Sequence, residues 1–260
     1  MKLTNLFSLL IFSTFIGSSF AAIEDDPDSW SLETIPFKFT PSKGLDDLMA
    51  LRASFAEFAD KGDFNYTARI LVPWAVSKES VPIAQDWDAI WFGISPNGKE
   101  YSEAFSYYVE NGAGIDEQFD AVRTMQGRVL LRSAAVFRSG ESLPSETIRS
   151  LRLATCKLNS GETVADGKAA LQKWSEKMGS LGAEASTFWW NPGIGASTEL
   201  EGSYIIARAF PSVESWGGAS LIWEAHRTSD LAEVNAGLQK AMRCSASRLY
   251  LSFPFYSSNS

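Results

Sequence analysis

Lys38 and Lys157 lie 119 residues apart, and on that offset the two halves of the chain fall into step. Phe39 meets Leu158, Leu45 meets Val164, Asp47 meets Asp166, Ala50 meets Ala169, Phe55 meets Trp174, Glu57 meets Glu176 and Pro73 meets Pro192 without a gap. A loop shortened by four residues changes the offset to 115, after which Pro96 meets Pro211, Tyr101 meets Trp216 and Tyr108 meets Trp223. A duplication on this scale constrains a chain more than composition does. Both copies have to form the same elements, and they bury their apolar faces together.

Each half reads in the same order. In the first, residues 31–40 alternate as a strand, and 44–60 carry Leu48, Leu51, Phe55 and Phe58 at helical spacing. Residues 66–76 and 88–95 are apolar, aromatic-rich strands; 98–112 and 115–125 read as helices, and 128–137 as a closing strand. In the second, 152–158, 186–191, 203–210 and 247–255 are the strands, and 163–179, 213–226 and 231–243 the helices. The expected organisation is therefore α+β: two βαββαβ, ferredoxin-like repeats over 31–139 and 149–256, joined by a linker at 140–148. An acidic tail (22–30) and a polar tail (257–260) flank them. Strand 203–210 has two faces unsuited to water, Tyr204, Ile206, Arg208 and Phe210 on one and Ile205, Ala207 and Ala209 on the other. The small face is expected to accept helices, and the bulky face to point into a barrel.

This element order resembles the dimeric α+β barrel superfamily in its fused, tandem form. That superfamily includes antibiotic-biosynthesis-type monooxygenases, small cyclases and isomerases, chlorite-dismutase-like haem proteins and stress-responsive barrel proteins. The resemblance covers residues 31–256 and implies a pseudo-symmetric antiparallel barrel with helices outside and a central cavity, not an activity.

Met1 to Ala21 reads as a secretory signal peptide, with Lys2 as the positive start, an apolar stretch from Leu6 to Ile16, and Ser19-Phe20-Ala21 as a small-x-small cleavage site. The expected product is secreted or periplasmic, with no stable membrane insertion after cleavage. A net charge of −8 and pI of 4.8 argue against nucleic acid, since little would displace counterions from a phosphate backbone. One His and two Cys exclude zinc-finger and iron–sulfur scaffolds. Asp86-Trp87-Asp88 and the Glu24–Asp28 run lack calcium-loop spacing, so no metal is expected. There is no Gly-x-Ser-x-Gly elbow, and Asn191-Pro192-Gly193-Ile194-Gly195 lacks a phosphate loop's Gly-Lys-Ser/Thr ending. Asn65-Tyr66-Thr67 is a glycosylation sequon, meaningful in a eukaryotic exporter.

Four groups of residues carry the chemical expectations. Cys156 and Cys244 are either a disulfide across the first and last strands of the second half, favoured in an exported chain, or two buried thiols. Arg208, mid-strand where the first half has Gly93, needs an anion, either an internal carboxylate or a ligand; Arg69 is a similar candidate. Trp91, Trp189, Trp190 and Tyr204 are either core or the apolar lining of a ligand site. His226 is the one imidazole, either a solvated residue at a helix end, a proton shuttle or an axial haem ligand. The preferred expectation is a binder of a small aromatic or amphipathic molecule with an anionic group, needing no cofactor. The alternatives are a cofactor-independent monooxygenase, cyclase or lyase using His226, and a structural or interaction module with a filled barrel.

Overall fold

The computed structural model describes residues 29–76, 87–140, 146–245 and 247–258. The signal segment, the Glu24–Asp28 run, Asp86 and most of the linker lie outside the described residues. The strands are β1 (Ser29–Phe39), β2 (Thr67–Ala75), β3 (Ala89–Ser95), β4 (Arg123–Met125), β5 (Val129–Phe137), β6 (Arg149–Leu158), β7 (Ser186–Pro192), β8 (Tyr204–Phe210), β9 (Met242–Cys244) and β10 (Arg248–Ser257). The helices are α1 (Leu45–Met49), α2 (Arg52–Lys61), α3 (Gly98–Asn111), α4 (Ala113–Asp120), α5 (Val164–Ser180), α6 (Val213–His226) and α7 (Ala232–Ala241).

Local signals account for the longer helices. The Asn97 side chain accepts from the amides of Lys99 and Glu100 to start α3. Thr163 and Asp166 form a reciprocal capping box on α5, and Ser212 caps α6 through the amide of Ser215. Residues 44–60, expected as one helix, break at Ala50–Leu51 into α1 and α2.

Every ladder is antiparallel. Strands run β10-β2-β3-β1-β5-β7-β8-β6, and β6 pairs back onto β10, so eight strands close a barrel. Within the first half the order is β5-β1-β3-β2, and within the second it is β10-β6-β8-β7. The halves meet through β2–β10 and β5–β7. Each also has a short extra strand: β4 pairs with the end of β1, and β9 with the end of β6. The sequence expectation carried both of these segments as helix. The helices stop at Asp120 and Ala241 instead, where the free edges of β1 and β6 still need backbone partners.

The barrel interior is packed with its own side chains, one or two from every barrel strand: Leu32, Leu71, Phe92, Leu131, Leu151, Leu153, Trp190, Ala207 and Tyr250. Phe92 stacks on Trp190 at 5.4 Å between ring centroids. This corrects the expected central cavity: an eight-stranded barrel is just wide enough for side chains to fill it. It also reverses the expected facing of β8. Ile205, Ala207 and Ala209 point inward, because large residues from the other strands leave little room, while Ile206 and Phe210 pack against the helical layer. The helices cover the barrel in two groups. In the first half Phe55 and Phe119 pack on Ile35, Phe37, Ile70 and Trp91; in the second Leu171, Trp174 and Met178 pack over Ile206, Phe210 and Trp189.

Candidate functional site

Alternation along β6 and β8 puts Arg152 and Arg208 on the outward face, directly opposite one another in the ladder. Both line a cavity of about 530 Å³ between the sheet and α5–α7. Arg208 is 8% exposed. Its guanidinium sits over the rings of Trp174 (4.5 Å) and Phe210 (5.0 Å), and its Nε is buried with no hydrogen-bond partner. Burial, with Arg152 alongside, pushes its pKa down to about 9, which still leaves it charged at neutral pH. Arg152 donates from Nη2 to Ser247 Oγ at 2.6 Å, and burial lowers its pKa also. Among the described residues no carboxylate pairs with either guanidinium. The walls are aromatic: Trp174 on α5, held by its indole N–H to Asn235 Oδ1 at 2.7 Å, and Trp216 and Trp223 on α6. The Cys244 end of β9 closes one side.

The same place in the first half is built the opposite way. There the cross-strand pair is Glu33 and Gly93. Glu33, 7% exposed, accepts from the Tyr66 hydroxyl at 3.0 Å and the Tyr101 hydroxyl at 2.9 Å, and pairs with Arg128 Nε at 3.0 Å. The Trp91 indole donates to the Tyr66 oxygen at 2.7 Å. Burial first, and the Glu33 charge next, hold the Tyr66 phenol well above its ordinary pKa. The space remaining is about 60 Å³. Gly93 makes this possible: a Cβ there would lie 1.8 Å from the Tyr66 oxygen. Arg123 is also buried beneath these helices, against the rings of Phe37, Trp91 and Phe119, and burial lowers its pKa to about 10.

The six predicted ligand residues therefore do not converge. Of the six, Arg208 alone lines the cavity beneath α5–α7. It faces the helices, not the barrel interior, which corrects the placement expected from the sequence. Trp189 and Tyr204 pack on each other at 4.6 Å in the core beneath α5, Trp91 belongs to the first-half network, and Trp190 fills the barrel. Arg69 is held by the protein's own acceptors, the oxygens of Ser252 (2.7 and 2.8 Å) and the Thr147 carbonyl (2.6 Å). His226 stands at the end of α6, its side chain 35% exposed and Nδ1 2.7 Å from Asp230. It is not among the cavity-lining residues, so neither a proton shuttle acting in this cavity nor a haem held there by an axial imidazole fits the geometry. Cys156 and Cys244 form a disulfide, with Cα atoms 3.9 Å apart. Cys244 belongs to β9, not to the last strand as expected, and is the direct ladder partner of Cys156.

Arg152, Trp174, Trp216 and Trp223 were missed as site residues. The signal for Arg152 was present: the first and third strands of a ferredoxin-like half are neighbours, so a residue in 149–158 had to sit opposite Arg208. The tryptophans carried no separate signal, because an aromatic at helical spacing reads equally as core.

No family model matches the sequence, and no curated protein matches it. Solved structures do. A mutant chlorite dismutase from Candidatus Nitrospira defluvii in complex with cyanide superposes with a TM-score of 0.51 at 9% identity, covering 88% of this chain and 92% of that one. Chlorite dismutase from the same organism in complex with imidazole gives 0.50 at 10% identity over 88% and 93%. An anthrone oxidase-like protein gives 0.49 at 9% identity over 91% and 96%. At these identities the likeness establishes fold alone. The chain is an α+β barrel protein, ferredoxin-like in its strand order.

Proposed function

We propose that this is an exported α+β barrel protein, duplicated from one ferredoxin-like unit, that binds a small aromatic or amphipathic anion beneath α5–α7 of its second half. The observation that carries the reading is the Arg152–Arg208 pair on the floor of a cavity walled by Trp174, Trp216 and Trp223. A buried guanidinium costs several kcal/mol unless an anion compensates it. In the first half Glu33 pairs with the partly exposed Arg128 and the buried Arg123 is packed tightly against aromatic rings; in the second half the buried arginine faces open space. The cavity falls within the usual range of small-molecule sites and combines apolar walls with a few convergent polar groups. Equal strand order in the halves supports the duplication. Export is supported by the disulfide, by the signal-like first residues, and by the fact that no helix among the described residues is long and apolar enough to cross a membrane.

The test is a titration of the mature protein with a panel of aromatic and amphipathic anions, read by tryptophan fluorescence and calorimetry. Arg208→Met should weaken binding by about 30-fold or more, the loss typical of one buried charge-assisted contact. It should leave the fold intact, since methionine fits the aliphatic volume without a charge to bury. Unchanged affinity for every ligand would remove the arginine anchor. Amino-terminal sequencing of protein recovered from outside the cytoplasm should begin at Ala22, and protein retained inside with an intact leader would end the export reading.

A further inference from the structure

The arginine pair specifies more than a negative ligand, and the inference rests on the cavity reading above. Side chains opposite one another on adjacent antiparallel strands start about 5 Å apart, so Arg152 and Arg208 present neighbouring guanidiniums to the same volume. Arg152 uses one donor on the Ser247 hydroxyl, and Arg208 is stabilised by ring faces. Neither contact supplies negative charge. The acidic residue on the lining, Glu224, is exposed on α6 and makes no ion pair with either arginine among the described residues. A monoanion would answer one of the two positive charges and leave the other without a counter-charge in the same enclosed volume. A compact group with two charges and three or more acceptor oxygens would neutralise both and engage both donor forks.

We propose that the headgroup recognised here is dianionic, a phosphate monoester carried on an aromatic or amphipathic body, with its oxygens bridging Arg152 and Arg208 and its body against Trp174, Trp216 and Trp223. Selectivity between ligands of one shape then follows headgroup charge.

2-Naphthyl phosphate and 2-naphthyl sulfate separate charge from shape, because both are tetrahedral esters on the same ring but the sulfate carries one charge. At pH 7.5 the mature protein should bind the phosphate about tenfold or more tightly than the sulfate, by calorimetry. The preference should shrink towards pH 5, as the phosphate gains a proton near pH 6, while sulfate affinity changes little. Arg152→Met should abolish the preference, and Arg152→Lys should retain part of it. The wild-type comparison needs no variant to fold. Equal affinity for the two probes at pH 7.5 would overturn the dianion assignment and leave the anion-binding reading standing. Failure of both probes to bind would overturn both.

Discussion

At the scale of single residues, the two halves differ most at one ladder position. Glu33 opposite Gly93 became a closed polar network; Arg152 opposite Arg208 became the floor of a cavity. The first arrangement depends on what glycine lacks. A methyl group at Gly93 would meet the Tyr66 oxygen at 1.8 Å and its Cζ at 2.5 Å. Tyr66 would have to swing away, giving up its bonds to Glu33 and the Trp91 indole inside a tightly packed layer. Gly93→Ala should therefore destabilise the protein by about 2–4 kcal/mol, through overpacking and the loss of partners by buried polar groups. Urea denaturation followed by circular dichroism measures this, and a loss below about 1 kcal/mol would mean that Tyr66 has an alternative seat. The reciprocal expectation belongs to Arg208. Because no carboxylate among the described residues answers its charge, Arg208→Met should hold or raise stability while removing the proposed binding, the pattern of a residue kept for a ligand.

Elements differ in how firmly they are seated. Helix α6 forms one wall of the cavity over Arg152 and Arg208, yet Ala219 is its one buried residue and Leu221 is 72% exposed. Gly217 and Gly218 lie in its middle, and a Cβ at either would meet nothing within 4 Å. Neither glycine is required for packing, so each costs the helix about 0.5–1 kcal/mol relative to alanine. Gly217→Ala/Gly218→Ala should raise unfolding free energy by about 1–2 kcal/mol, and a variant no more stable than wild type would show that α6 packs more closely than this. Strand β9 is held differently, by the disulfide that closes an 88-residue separation. Cys156→Ala/Cys244→Ala should cost about 2–5 kcal/mol and weaken ligand binding, because Cys244, Ser245 and Ser247 edge the cavity. Retention of full stability and affinity would count against that role. Most of these elements were legible in the sequence, since the matched order of apolar runs, prolines and aromatic pairs in the two halves reinforced each weak local signal. Strands β4 and β9 were not, because Arg123–Met125 and Met242–Cys244 are three residues each and carry no period. The facing of β8 was not legible either. Alternation tells which side chains share a face, but which face turns inward depends on the volume the other seven strands place in the barrel. That one reversal moved Arg208 from an expected central cavity to the layer beneath the helices.

For the whole molecule, the two halves of the chain form one barrel and complete each other. The ladders β2–β10 and β5–β7 cross between halves, and the interior cluster draws Leu32, Leu71, Phe92 and Leu131 from one half and Leu151, Leu153, Trp190, Ala207 and Tyr250 from the other. A separated first half, residues 22–140, would expose β2 and β5 as free edges together with its share of that interior. Such edges pair with whatever strand is available, and the strands best matched to them are those of a second copy. The fragment should therefore be recovered as a homodimer whose barrel is closed by two first halves, or as aggregate, and not as a folded monomer. Size-exclusion chromatography with light scattering, alongside circular dichroism, distinguishes these. A monomeric, cooperatively folding fragment would mean that the first half's outer core, built on Phe55, Trp91 and Phe119, stabilises it alone. A homodimer would carry Glu33 and Gly93 at both sites and neither Arg152 nor Arg208. It should bind none of the anions proposed for the full chain, which separates the fold's capacity to close from the ligand binding proposed for the second half.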